Sequence, residues 1–131
     1  DLVATAKIND VFSLGYNGTV NTTQVWDGSK NADGKSWWGS ALYINVDPKA
    51  WFGLTLRTEY FSDKNQFKIP TGIDDGASVF ATTLSANFKA GGLTIIPEFR
   101  LDNASEEVFI DANFNPKKST GSFLLAAVYS F

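Results

Sequence analysis

The 131-residue chain contains no cysteine and no histidine. The lack of cysteine excludes disulfide frameworks and thiolate metal sites, and the lack of histidine removes the commonest general base and metal ligand at neutral pH. No apolar run approaches the roughly 18–20 residues of a membrane-spanning helix. The net charge is −3 and no basic residues cluster, which argues against a nucleic-acid partner. We therefore predict a protein that is not an enzyme and that uses no cofactor or metal ion.

Alternation of apolar and polar residues with a period of two is the dominant pattern along the chain. It predicts β-strands at about 2–8, 11–22, 36–46, 51–61, 78–89, 93–103 and 119–131. The connections alternate in length: 9–10, 47–50 and 90–92 are short turns, whereas 25–36, 62–77 and 103–118 are long polar loops. This layout is typical of an all-β, antiparallel up-and-down transmembrane β-barrel. We expect residues 1–131 to form one such barrel domain or a portion of one.

Each predicted strand has one apolar face, with aromatic residues near its ends, and one polar face. The strands also have the roughly 9–11 residues that a tilted strand needs to cross a bilayer. We therefore expect the apolar stripe to contact lipid and the polar stripe to line a lumen. A soluble barrel or sandwich, with the apolar stripe inside, is the alternative. The predicted membrane-facing aromatic residues are Phe12, Tyr16, Phe52, Tyr60, Phe80, Phe88, Phe99, Phe123, Tyr129 and Phe131. The predicted lumen-lining or pore-lining residues are Lys7, Asn17, Asn45, Arg57, Glu59, Asn87, Lys89, Glu98, Arg100 and Asp102.

Ionisable residues are concentrated on the polar stripe of two predicted strands. Glu98, Arg100 and Asp102 alternate on one strand, and Arg57 and Glu59 on another. They are candidates for a constriction that selects ions or sugars. A mutually paired network with no role beyond satisfying its own charges is equally compatible with the pattern.

Several other features allow two interpretations. Trp37 and Trp38, with Trp26, could stack on a sugar, or they could be anchors in the interfacial girdle or at the base of a loop. The polar loop 27–34 has calcium-like oxygen spacing, but it lacks the glycine and the closing glutamate of an EF-hand loop, and we interpret it as an ordinary loop. Pro97 cannot donate a ladder hydrogen bond and predicts a local bulge or bend in its strand.

The sequence ends on an apolar alternation, SFLLAAVYSF, whose last residue is aromatic. The segment AVYSF resembles the C-terminal signal strand that the barrel-assembly machinery reads in bacterial outer-membrane proteins, with Tyr129 and Phe131 as the assembly signal. The segments GLTLR, LTIIPEFR and STGSFLLAAVY resemble the C-terminal part of the putative β-barrel porin family of Bacteroidota outer membranes. The resemblance covers about 36–131 and, more loosely, the residues before. It implies a pore-like outer-membrane barrel and no catalytic residues.

The predicted strand number is odd, whereas bacterial barrels normally have an even number. We therefore expect the chain to be the C-terminal portion of a larger barrel. Alternatively, 107–114 is an eighth strand of a small closed barrel, or it extends a hairpin above the membrane. The expected location is the bacterial outer membrane, with the long loops extracellular and the short turns periplasmic. The expected partners are outer-membrane lipid and lipopolysaccharide, the barrel-assembly machinery and, in some settings, other outer-membrane proteins.

Two functions are compatible with these features. The first is passive diffusion of small hydrophilic solutes through a charged lumen. The second is a non-conducting barrel that serves as a structural or partner subunit of an outer-membrane complex.

Overall fold

The computed structural model describes residues 1–24, 26, 28–31, 33–69, 71 and 76–131, and within them the fold is all-β. Among these residues, no helix is long and apolar enough to cross a membrane. Asp27 and Ala32 of the loop 27–34 lie outside the described residues. The strands are β1 (Leu2–Lys7), β2 (Phe12–Thr23), β3 (Lys35–Lys49), β4 (Phe52–Asp63), β5 (Ala77–Ala90), β6 (Leu93–Ala104), β7 (Phe109–Ile110), β8 (Pro116–Lys117) and β9 (Ser119–Tyr129).

Seven of these strands form one antiparallel sheet in the order β1-β2-β3-β4-β5-β6-β9, in which each strand pairs with the next. All seven predicted strands are therefore confirmed. The short strands β7 and β8 pair only with each other, as a small hairpin within the loop between β6 and β9. The interpretation of 107–114 as an eighth strand of the main sheet is wrong, because this segment pairs with its own loop.

The short connections show why the chain turns where it does. The side-chain Oδ1 of Asn9 accepts hydrogen bonds from the backbone N–H groups of Val11 (2.9 Å) and Phe12 (2.8 Å), which fixes the β1–β2 turn. Gly91 has a φ of +60°, a left-handed conformation that glycine adopts without steric cost, in the β5–β6 turn. The segment 47–50 is only partly a turn, because β3 continues to Lys49 through a register shift between Val46 and Lys49.

Pro97 interrupts pairing without changing the register. Ser85 pairs with Glu98, and the next recorded pair of β5 and β6 is Phe88 with Ile95. Both pairs belong to the same register, so the predicted bulge is absent. The gap lies at the proline, which has no N–H to donate to its neighbour. Pro97 still pairs with Leu125 on the other side.

The sheet is open in the described part of the chain. β1 and β9 are its two edge strands. Because every neighbouring pair is antiparallel and the sheet has seven strands, β1 and β9 run in the same direction.

In the inner strands, burial is distributed in the opposite way from that of a water-soluble sheet. On the apolar face, Leu84 and Phe99 are 50% and 49% exposed. On the polar face, Thr83 and Ala81 are 1% and 2% exposed. A large apolar surface left open while the polar surface is covered is the arrangement of a β-sheet whose outer solvent is lipid.

Candidate functional site

The strand register assigns every predicted site residue to a face. All ten predicted lumen-lining residues lie on the polar face, and all ten predicted membrane-facing aromatic residues lie on the other face or continue its alternation.

A belt of four charged residues crosses the polar face, and we call Arg57, Glu59, Arg100 and Asp102 the charged belt. Arg57 and Arg100 occupy one row, because both pair with Thr83 of β5, which lies between them. Glu59 and Asp102 occupy the next row, because both pair with Ala81. The belt therefore joins residues from two strands that are not neighbours in the sheet.

Arg100 is the centre of the charged belt. Its Nε donates to both carboxylate oxygens of Asp102, at 3.0 and 2.9 Å, and its Nη2 donates to Asp102 Oδ1 at 2.8 Å. Its Nη1 donates to Glu59 Oε2 at 2.5 Å. The Nε of Arg57 lies 3.1 Å from the same Glu59 oxygen. The side chains of Arg57, Glu59 and Arg100 are about 30% exposed and that of Asp102 is 13% exposed, so the belt is both paired and accessible.

Glu98 does not join the charged belt. It accepts a hydrogen bond from Ser85 Oγ at 2.8 Å, in the adjacent row toward the short turns. In that row Thr55 Oγ1 donates to Asn45 Oδ1 at 2.8 Å. At the β1 end of the same row, Lys7 forms an exposed ion pair with Asp10 of the turn at 2.7 Å. Of the five ionisable residues singled out on the polar stripe, four thus form one network, and Glu98 lies in the adjacent row with Ser85 as its hydrogen-bond partner.

Aromatic residues lie on the polar face on the long-loop side of the charged belt. Phe61 is two positions beyond Glu59 on β4, and its ring is 5.5 Å from the Trp37 ring of β3. Trp37 is not part of the membrane-facing girdle, because it shares the face of Ala41 and Tyr43, which pair with Glu59 and Arg57. Its neighbour Trp38 is on the apolar face.

The apolar face carries aromatic residues at both ends of its stripe. Trp38 and Tyr60 pack at 5.2 Å near the long loops. Phe52 and Phe88 pack at 5.2 Å near the short turns. Phe52 and Tyr60 are eight positions apart, which is about 26 Å along a strand and about 20 Å along the axis of a barrel with the usual tilt. Adding the width of the rings gives a band comparable to the roughly 25 Å apolar belt of an outer-membrane barrel.

The loop between β6 and β9 folds toward the charged belt, which the strand pattern does not predict. An open cavity of about 410 Å³ is lined by Val108 and Phe109 of this loop, by Ile69 of the β4–β5 loop, and by belt and wall residues that include Glu59, Arg100 and Asp102. The loop is ordered by Asp111, whose Oδ1 accepts the backbone N–H groups of Asn113 (2.8 Å) and Asn115 (2.9 Å). The apolar residues within an otherwise polar loop are the signal that could have indicated this cover.

The β4–β5 loop is ordered in a similar way by Asp63, which is fully buried. Its carboxylate accepts the backbone N–H groups of Phe67 (2.9 Å), Lys68 (2.5 Å) and Ile69 (2.7 Å). Because these three bonds hold the start of the loop, they also position Ile69 above the charged belt.

Taken together, an antiparallel up-and-down sheet with an apolar, aromatic-edged outer face and a charged inner face defines the wall of a transmembrane β-barrel. Over residues 1–131 the chain matches the family described as "Putative beta-barrel porin-2, OmpL-like", and it belongs to that family. No curated protein and no solved structure matches the chain.

Family membership confirms the porin resemblance and implies an outer-membrane location and a general porin-like role rather than an enzymatic one. The narrower placement in Bacteroidota and at the C-terminal end of a larger barrel stays a prediction.

Proposed function

We propose that the protein is an outer-membrane pore for the passive diffusion of small hydrophilic solutes, with the polar face of the sheet as the wall of the permeation path. The charged belt is the observation that carries this proposal. Its side chains are paired, yet three of the four keep about 30% of their surface exposed, so permeating solutes can reach them. A belt of this kind lines a wet lumen and would be far too costly against lipid.

Closure of the barrel requires further strands between β9 and β1, in this polypeptide or in a partner. Because β1 and β9 run in the same direction, an odd number of added strands makes every pair antiparallel. The total is then even, as is usual for bacterial barrels. Eight strands would leave a lumen filled by side chains, and larger numbers would leave an aqueous channel.

The proposed orientation places the long loops outside the cell and the short turns in the periplasm. The aromatic-edged apolar face then contacts outer-membrane lipid and lipopolysaccharide. In the same proposal the barrel-assembly machinery reads the last strand, through Tyr129 and Phe131, during insertion. The ring pair formed by these two residues, at 6.4 Å, continues the apolar face, and both residues are exposed and available for such a contact.

A second candidate function is a non-conducting subunit of an outer-membrane complex. The specific observation in its favour is the inward-folded loop, because Val108 and Phe109 lie over the charged belt. In a narrow barrel, that loop and the paired belt together would obstruct the lumen.

Single-channel recording in a planar bilayer, with the full native polypeptide, separates the two candidates. The pore proposal predicts a steady open conductance whose ion preference changes when Arg100→Glu or Glu98→Lys reverses a charge on the polar face. Lys49→Glu is the matched control, because Lys49 pairs with Phe52 on the apolar face and its reversal should leave the ion preference unchanged. No conductance from correctly folded protein would contradict the pore and favour the subunit.

A further inference from the structure

The polar face has an aromatic cleft directly beside the charged belt. A cleft of about 170 Å³ is bordered by the rings of Trp37 and Phe61, by the small residues Gly39 and Ala41, and by Asn17 and Glu59. A side chain at Gly39 would touch the Phe61 ring at 3.5 Å, so this ring lies close against the bare backbone. The cleft adjoins the 410 Å³ cavity under the loop, because Glu59 and Phe61 border both.

Two residues that border the cleft, Glu59 and Asn17, have hydrogen-bonding groups without a partner among the described residues. Glu59 accepts from Arg100 through Oε2, and among the described residues its Oε1 has no hydrogen bond. Asn17 borders the same cleft, and within the described chain its side-chain amide has no hydrogen bond. A hydroxyl group, which donates and accepts at once, fits this pair better than a purely anionic or cationic group does.

The net charge beside the cleft is zero, because the two arginines of the charged belt face two carboxylates. A charged solute would have to displace one partner of an existing ion pair, whereas a neutral solute would not. An apolar ring surface from Trp37 and Phe61 next to hydroxyl-matching groups is complementary to one class of neutral solute. That class is the saccharides, whose rings carry C–H faces and a rim of hydroxyls.

We propose that the cleft formed by Asn17, Trp37, Gly39, Ala41, Glu59 and Phe61 binds neutral saccharides. This inference rests on the proposed pore function for its biological meaning, since the bound saccharide would be in transit. The Trp37 ring stacks on the C–H face of the sugar, and Oε1 of Glu59 and the side-chain amide of Asn17 bond its hydroxyls.

The test is equilibrium binding of maltose and sucrose to the folded full polypeptide in detergent, measured by titration calorimetry. The wild-type protein should give saturable binding. Trp37→Ala should weaken it about tenfold, which corresponds to about 1.4 kcal/mol. Trp38→Ala is the matched control, because Trp38 is the adjacent residue on the opposite face, packed on Tyr60, and its loss should leave binding unchanged. Trp37→Phe, which keeps an aromatic ring, should restore most of the affinity.

Three results would overturn the proposal: no saturable binding of either sugar, equal losses from Trp37→Ala and Trp38→Ala, or tighter binding of glucosamine or glucuronate than of the neutral sugars. Far-UV circular dichroism of each variant verifies that it is folded, and Trp37→Phe keeps the test available if Trp37→Ala does not fold. Binding without conductance would contradict the pore and support the site. Conductance without binding would contradict the site alone.

Discussion

Replacing Leu84 by arginine tests which face of the sheet contacts lipid. Leu84 lies midway along β5, between the aromatic pairs at the two ends of the apolar face, and is 50% exposed. Arginine at the bilayer midplane on the lipid face of a barrel costs about 2–4 kcal/mol. The Leu84→Arg variant should therefore shift the unfolding equilibrium by about 30- to 700-fold.

Two matched variants make the expected cost specific. In Ser85→Arg the same side chain points to the polar face, where it can pair with Glu98, which Ser85 now contacts at 2.8 Å. In Ala90→Arg it stays on the apolar face but lies at the short-turn end of β5, where arginine costs about 0–1 kcal/mol. We expect losses below about 1 kcal/mol for both controls.

The assay is reversible denaturant unfolding of the full polypeptide in lipid vesicles, followed by tryptophan fluorescence. The reasoning predicts a large loss only for Leu84→Arg. Comparable losses for Leu84→Arg and Ser85→Arg would refute the assignment of the faces. Comparable losses for Leu84→Arg and Ala90→Arg would refute the dependence on depth that a bilayer imposes.

Three further predictions concern the charged belt and the loops above it. Arg100→Gln should raise the preference for cations and Glu59→Gln the preference for anions, each by about fivefold in reversal-potential measurements. The magnitude follows because a unit charge 4 Å away is worth about 1 kcal/mol in water. An unchanged reversal potential would contradict the exposure of these two side chains to the permeation path. Asp63→Ala removes the acceptor of three backbone N–H groups and should destabilise the β4–β5 loop by about 1–3 kcal/mol. The loss should be seen as faster limited proteolysis within 64–69. An unchanged cleavage rate would contradict this role of Asp63. The hydrogen bond from the backbone N–H of Asn115 lowers the pKa of Asp111 below its usual 3.8. The stability that the Asp111 carboxylate gives the β7–β8 hairpin should therefore be constant above about pH 4 and fall as the pH drops through the lowered pKa. Hydrogen exchange of the hairpin amides that does not change with pH, after correction for intrinsic rates, would contradict this prediction.

The strands and their faces could be predicted because both depend on local alternation. A side chain two positions along a strand returns to the same face whatever the partner strand is, so Arg57, Glu59 and Arg100 could be placed on one surface from the sequence alone. The end of β3 was harder to predict. The residues Asp47 and Pro48 are typical of a turn, but the chain passes them through a register shift and pairs again at Lys49.

Lateral neighbours could not be predicted, because they depend on the register between strands. Arg57 and Arg100 come into one row only through their common partner Thr83, and no spacing within the sequence encodes that alignment. The same limit applies to Glu98, which lies two positions from Arg100 but bonds Ser85 across the strand pair. The position of Phe109 at the cavity above the charged belt depends on how the long loop between β6 and β9 folds back. The alternation of apolar and polar residues within strands does not determine how such a loop folds.

Chemical labelling of one introduced cysteine tests the central claim most directly. This chain has no cysteine, so Ser85→Cys and Leu84→Cys each create a single thiol in it, on opposite faces of adjacent positions; any cysteine elsewhere in the full polypeptide would be replaced by serine. The full polypeptide is reconstituted into lipid vesicles and treated with a charged, water-soluble thiol reagent. We predict that Ser85→Cys reacts readily and Leu84→Cys does not. Equal labelling of the two, or faster labelling of Leu84→Cys, would contradict a barrel whose polar face lines the lumen.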